Sequence, residues 1–171
     1  MTHDSTSRPG AQAVRAPLAK DATGLTLGTS IYTLDGCLPI EYLVPGDRII
    51  TRDAGAVTLR AVHHRRITTT PVLVSVGSLG FDRPEETVAM LPAQAILVRD
   101  WRAQALFGAE RALVPIRRLI DKQFIRWDCA PRTLDTFALD FGAEHIAYAD
   151  GVEVLCPKTV HQAQAQPHHV G

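Results

Sequence analysis

The amino-acid sequence predicts an all-β domain with at most one or two short helices. The first observation is a strand that runs into a tight turn near the start of the chain. Ile31 and Thr33 alternate with Tyr32, as in a half-buried strand, and Asp35-Gly36 then supplies the positive φ of a hairpin turn. The second is Pro45-Gly46-Asp47, because proline presets φ at the first central position of a turn and glycine accepts a positive φ at the next.

Further strand and turn patterns follow along the chain. Residues 48–51 predict an extended segment, and Asp53-Ala54-Gly55 predicts another hairpin turn. One long strand is predicted over residues 57–69, and alternating valines predict a strand over residues 72–76. Residues 87–98 predict a strand pair that is broken at its proline.

One segment has apolar residues at partly helical spacing. It runs from Arg99 to Gln123 and is interrupted by Gly108 and Pro115. The sequence therefore predicts a short helix near Trp101–Phe107 at most.

Length and composition indicate one domain with flexible ends. We expect a flexible N-terminal arm over residues 1–23, a β domain over residues 24–157 and a flexible C-terminal tail over residues 158–171. The 18 Lys and Arg residues balance the 18 Asp and Glu residues, so net charge favours neither nucleic acid nor an anionic membrane as a partner. The sequence has no membrane-spanning apolar run and no N-terminal signal pattern, which predicts a cytoplasmic location.

Cysteine and histidine usage predicts neither a metal site nor a cofactor. Cys37, Cys129 and Cys156 match no zinc-ligand spacing, and their odd number argues against a disulfide framework, so we expect three unpaired thiols. His63 and His64 are adjacent in a predicted strand and face opposite sides, so they cannot chelate a metal together. The two histidines and the two arginines that follow them predict a solvated edge strand, whose charged side chains prevent pairing with a further strand. Contact with a phosphate group is the alternative interpretation.

The ordered series of turns resembles the opening of a Hint domain, the Hedgehog/intein autoprocessing fold, in its bacterial Hint-like group. The resemblance covers residues 24–157 and is strongest from Gly28-Thr29 to Asp53. Residues 112–120 and 146–151 show weaker similarity to later segments of the family. It implies a fold of pseudo-symmetric twisted β-hairpins. It also implies that the turn residues serve backbone geometry; these residues are Asp35, Gly36, Pro45, Gly46 and Asp47.

The resemblance also implies a chemistry, which can be checked position by position. In this family a cysteine or serine attacks the carbonyl of the preceding residue to form a thioester or ester, and histidines protonate the leaving nitrogen. The nucleophile position lies four residues before the Gly-Thr pair that ends in Thr29, and Gly24 occupies it. In the family's Ser-Pro-x-His segment, Gln94 takes the place of the histidine.

The family's third catalytic element is a pair of histidines before the closing strand. Ala138 and Glu144 fall at these two positions, and His145 is one residue out of register. His145 becomes the match if the alignment shifts by one residue. We therefore assign no catalytic residue and treat these positions, together with Thr29, as the vestige of a site.

These substitutions predict a non-catalytic Hint-fold module that binds a partner, such as a protein at its sheet edges or its Arg-rich strand. One alternative is residual self-cleavage through Thr23, Thr26 or Cys37, with His145 as general acid. Another is a phosphate or nucleic-acid binder that uses residues 63–66 with Arg117 and Arg118. Protein splicing by asparagine cyclisation has the least support, because the sequence contains no asparagine.

Overall fold

The computed structural model describes residues 21–159 and has the predicted all-β architecture. Over this range it contains one α-helix, α1 (Trp101–Phe107), and two short 3₁₀ helices, Ile40–Tyr42 and Ile116–Leu119. The predicted N-terminal arm and C-terminal tail lie outside the described residues, except for residues 21–23 and 158–159. The strands are β1 (Leu25–Thr26), β2 (Ser30–Thr33), β3 (Gly36–Pro39), β4 (Arg48–Thr51), β5 (Gly55–Thr58), β6 (Ala61–Thr69), β7 (Val72–Val74), β8 (Val88–Met90), β9 (Ala95–Val98), β10 (Ala112–Pro115), β11 (Ile125–Trp127), β12 (Arg132–Asp140), β13 (His145–Ala149) and β14 (Val152–Cys156).

The strands of the described region form three antiparallel sheets. The largest has eight strands in the order β10-β9-β14-β13-β2-β4-β5, with β3 paired to β2. A second sheet has the order β1-β12-β6, and a third has the order β11-β7-β8. The predicted edge strand that carries His63 and His64 is β6, which does lie at the edge of its sheet.

Apolar side chains from all three sheets meet in one core. In β2 the residues alternate between buried and half-buried, which places Ile31 inside. Ile31 and Ile49 of the large sheet and Ile125 of the third sheet are fully buried. Burial of each such side chain contributes about 1.5–3 kcal/mol to stability.

The turns that the sequence predicts form, with one difference in detail. Gly46 has a φ of 101°, and the backbone N–H of Asp47 donates to the Val44 carbonyl, so Pro45-Gly46 forms the predicted turn. In the first hairpin Thr33 pairs with Gly36, so the loop residues are Leu34 and Asp35. The positive φ therefore belongs to Gly36 alone, at 106°, just after the loop.

Two predicted strands need correction, and the predicted helix is confirmed. The single strand over residues 57–69 is two strands, because the chain changes partner between Leu59 and Arg60: the N–H of Leu59 donates to the Asp47 carbonyl beside β4, whereas the N–H of Arg60 donates to the Asp140 carbonyl of β12. Residues 87–98 contain two strands that do not pair with each other, since β8 pairs with β7 while β9 pairs with β10 and β14. Helix α1 has the predicted bounds, because the Asp100 carboxylate caps its first turn and Gly108 ends it in the left-handed conformation.

Among residues 21–159, no helix is long and apolar enough to cross a membrane.

Candidate functional site

The site at the start of β1 is built from backbone geometry rather than side chains. Gly24 has a φ of 140°, in the region that glycine favours. A Cβ added to Gly24 would lie 3.2 Å from the carbonyl oxygen of Phe137 and 3.6 Å from the Cβ of Thr136. Strand β12 supplies both contacts, because β1 pairs with it through Leu25 and Phe137. The backbone at position 24 therefore disfavours any side chain.

Gln94 lies against Gly24, although 70 residues separate the two along the chain. The backbone N–H of Gly24 donates to Oε1 of Gln94 over 3.0 Å. Nε2 of Gln94 donates to the carbonyl oxygens of Ala95 and Leu155, over 3.0 and 2.9 Å. The side chain is buried, and these three hydrogen bonds fix which end of the amide faces Gly24.

Ala138 lies on β12, next to Gly24 and the start of β1. The register of β1 on β12, continued by one residue from Leu25 and Phe137, places Ala138 opposite Gly24. On its other side Ala138 pairs with His63 of β6. A methyl group therefore stands where the resemblance implies a proton donor.

The other positions assigned to the vestigial site lie elsewhere. Thr29 is buried in the turn after β1, where its Oγ1 donates to the Thr26 carbonyl oxygen over 2.6 Å. Glu144 is exposed in the connection before β13. His145 is the first residue of β13, and its Nδ1 lies 2.8 Å from Oδ2 of Asp53.

Asp53 was not predicted from the sequence as a site residue, but its carboxylate contacts both His145 and the residue that follows it. Its Oδ1 accepts the backbone N–H of Ile146. Burial opposes ionisation of Asp53, but the hydrogen bonds from Ile146 and His145 outweigh it and hold the pKa of Asp53 below its ordinary value. The ring of Phe141 meets the His145 ring edge-on at 5.5 Å between centroids. These contacts hold His145 at the turn between β4 and β5.

The three cysteines are unpaired, as expected from the sequence. Cys37 and Cys129 are exposed, whereas Cys156 is buried opposite His145 in the ladder of β13 and β14. Burial raises the pKa of Cys156 to about 12, so its thiol stays protonated and unreactive near neutral pH. No group of three potential metal-ligating side chains occurs within residues 21–159.

A cluster of charged side chains surrounds Glu153 and was not predicted from the sequence. This carboxylate is buried on β14, with 2% of its side chain exposed. Arg99 binds it through two hydrogen bonds of 2.9 and 2.7 Å, and Arg52 adds a third of 3.0 Å. Nη1 of Arg83 lies 3.9 Å away. The one available signal was a single acidic residue inside the apolar strand Val152–Cys156.

Asp150 is a second charged residue that sequence reasoning left aside. It has a φ of 51°, and its Oδ1 accepts the backbone N–H of Ser30 over 2.9 Å. Burial raises the pKa of Asp150, and the nearby carboxylates of Glu85 and Glu86 add to this shift. The residue joins β2 to the turn between β13 and β14.

Comparison with known proteins agrees with this architecture. The chain is similar in structure to a bacterial intein-like domain from Clostridium thermocellum, with 17% identity and a TM-score of 0.51, over 80% of this chain and 99% of that one. It is also similar to a variant of the gp41-1 intein, with 12% identity and a TM-score of 0.50, over 78% of this chain and 98% of that one. No sequence among the curated proteins matches significantly. The sequence model of the Hint domain matches residues 23–156, and the chain therefore belongs to the Hint domain family.

Proposed function

We propose that this chain is a Hint-fold module that does not cleave itself and instead serves as a binding or scaffold module. The observation that carries the proposal is the hydrogen bond between the Gly24 N–H and the Gln94 amide, 3.0 Å long. In the family's reaction, this backbone nitrogen is the leaving group when the peptide bond before it is attacked. The side chains around it decide whether that attack is feasible.

The first step of such a reaction needs a nucleophile, and Gly24 has no side chain to supply one. A substitute from a neighbour would have to reach the carbonyl carbon of Thr23. Thr26 is the nearest hydroxyl along β1, and its Oγ1 donates to the Ala89 carbonyl oxygen over 3.1 Å. That hydroxyl is therefore already engaged with the backbone of β8.

The second requirement is a proton for the leaving nitrogen. Gln94 presents its carbonyl oxygen to Gly24, and that oxygen only accepts hydrogen bonds. The two N–H groups of its amide donate to other carbonyls, and an amide does not exchange a proton near neutral pH. Gln94 thus stabilises the uncleaved peptide bond in its ground state.

Groups that act as a unit in catalysis lose nearly all of the rate when one central member is removed. Both the nucleophile and the proton donor differ here, while the turn residues that shape the fold remain. A fold that is retained without its catalytic groups supports a role in which the domain presents a surface for binding a partner. The protein remains intact while it binds.

The test is the intact mass of the purified full chain after prolonged incubation, with and without dithiothreitol or hydroxylamine, which resolve thioesters and esters. We expect one unchanged mass in every condition. Loss of a fragment that ends at Thr23 would contradict the proposal, because it would require a nucleophile at the Gly24 junction.

If a fragment is lost, four variants would distinguish the alternative. Residual self-cleavage would proceed through Thr23, Thr26 or Cys37 with His145 as general acid. Ala substitutions of the two threonines, of Cys37 and of His145 test each role in turn. Cleavage that stops in one variant identifies the nucleophile or acid, and cleavage that persists in all four rules out this assignment.

A further inference from the structure

The cluster around Glu153 borders a cavity that the proposed function does not use. The cavity has a volume of about 450 Å³, within the usual range for small-molecule sites. Strands β9 and β14 form one wall, with apolar contributions from Ile96, Val98 and Val152. The loop between β7 and β8 forms the opposite wall and contributes Phe81 and Arg83. We call this cavity the arginine pocket.

The charges at the arginine pocket do not balance. Glu153 is the one carboxylate within 4 Å of Arg52, Arg83 and Arg99 among the described residues, which leaves two positive charges over. Asp100 also lines the pocket, but Arg102 forms an ion pair with it. The positive charge of Arg102 offsets that carboxylate, so Asp100 does not reduce the excess of positive charge.

Arg83 is the arginine best placed to bind something else. Its 3.9 Å separation from Glu153 is too long for a hydrogen bond. Its side chain is 45% exposed and lines the pocket, whereas both oxygens of Glu153 are already occupied by Arg99 and Arg52. The guanidinium thus retains donors in a planar fork, the geometry that matches phosphate and carboxylate groups.

Phe81 adds an apolar contact at the same mouth. The residue is 93% exposed, which is unusual for a phenylalanine, and it lines the pocket together with Arg83. A ligand held by Arg83 could therefore rest an aromatic or aliphatic group against Phe81 and the valines of the β9–β14 wall. The positive charge of Arg83 and the apolar surface beside it favour a ligand that has both an anionic group and an apolar group.

We propose that the arginine pocket binds a small oxyanion that carries an apolar group, such as an aryl phosphate. Arg83 binds the oxyanion, Arg99 and Arg52 add positive potential behind it, and Phe81 covers the apolar group. Glu153 serves to hold Arg99 and Arg52 in place. This site is independent of whether the chain cleaves itself, so either proposal can fail without the other.

Calorimetric titration of the full chain with phenyl phosphate tests the proposal. We expect saturable binding, with at least tenfold weaker binding of phenol, which lacks the charge, and of inorganic phosphate, which lacks the ring. Arg83→Gln should weaken binding by about 10–100-fold, the effect of losing a charge-assisted hydrogen bond. The matched control is Arg48→Gln, which is exposed on β4 and does not line the arginine pocket, and this variant should bind as the unmodified chain does.

The Phe81→Ala variant guards against an effect of folding. Phe81 is almost fully exposed, so this change leaves the core intact while removing the apolar contact, and it should weaken binding of phenyl phosphate but not of inorganic phosphate. Absence of binding into the millimolar range would overturn the proposal. Equal affinity of the unmodified chain and Arg83→Gln would also overturn it, because the oxyanion would then bind elsewhere.

Discussion

Replacing Gln94 with leucine should destabilise the domain, because this amide connects three backbone segments. Leucine has nearly the same volume but no polar atoms. The Gly24 N–H would lose its acceptor at a part-buried site, and the carbonyls of Ala95 and Leu155 would each lose one donor. Gln94 itself is 2% exposed, so water cannot readily replace the amide without a rearrangement.

The expected loss of unfolding free energy can be estimated from these three hydrogen bonds. An unsatisfied buried N–H costs about 1–3 kcal/mol, and each hydrogen bond lost by a carbonyl costs about 0.5–1.5 kcal/mol. Burial of the leucine side chain returns about 1–2 kcal/mol. The midpoints of these terms give a fall in the free energy of unfolding of about 2.5 kcal/mol. Such a loss lowers Tm by roughly 5–10 °C for a chain of this size.

Urea unfolding at equilibrium, followed by tryptophan fluorescence, measures this change. The matched control is Gln104→Leu on the exposed face of α1, which should change stability by less than about 0.5 kcal/mol. A Gln94→Leu variant as stable as this control would refute the reasoning. It would mean that the hydrogen bonds between Gln94 and the backbone contribute nothing to the fold.

Three further predictions rest on other parts of the molecule. Gly24→Ala should lower the free energy of unfolding by about 2–4 kcal/mol, because the added Cβ meets both a positive φ and the Phe137 carbonyl. Gly28→Ala, where a Cβ meets open space, should cost only about 1–2 kcal/mol, and equal losses in urea unfolding would contradict this account. Asp150→Asn should stabilise the protein at neutral pH, because a raised folded pKa means that ionised Asp150 opposes folding above that pKa. The gain should vanish as the pH falls below the ordinary aspartate value of 3.8, and a gain independent of pH would argue against the titration of Asp150 as its cause. In a thiol titration with Ellman's reagent, two cysteines should react in the folded protein, and buried Cys156 should react only on unfolding; rapid reaction of all three would show that the β13–β14 ladder opens readily.

The sequence by itself determined the elements whose chemistry is local. The turn at Pro45-Gly46 depends on two adjacent residues, and helix α1 depends on a cap at Asp100 and a stop at Gly108, so both could be predicted. The series of turns was also enough to point to the Hint family, because its spacing is carried by residues close together in the chain. The family match over residues 23–156 confirms that inference.

Only the tertiary structure decided what surrounds each side chain. Gly24 and Gln94 are in contact although 70 residues separate them along the chain. No local sequence pattern predicts that the amide oxygen of Gln94 accepts the Gly24 N–H. The same holds for His145, which pairs with Asp53, and for Glu153, which collects arginines from separate elements. Strand patterns specify which residues face inward but not which strands become neighbours, because ladder hydrogen bonds join distant segments and depend on how the whole chain closes.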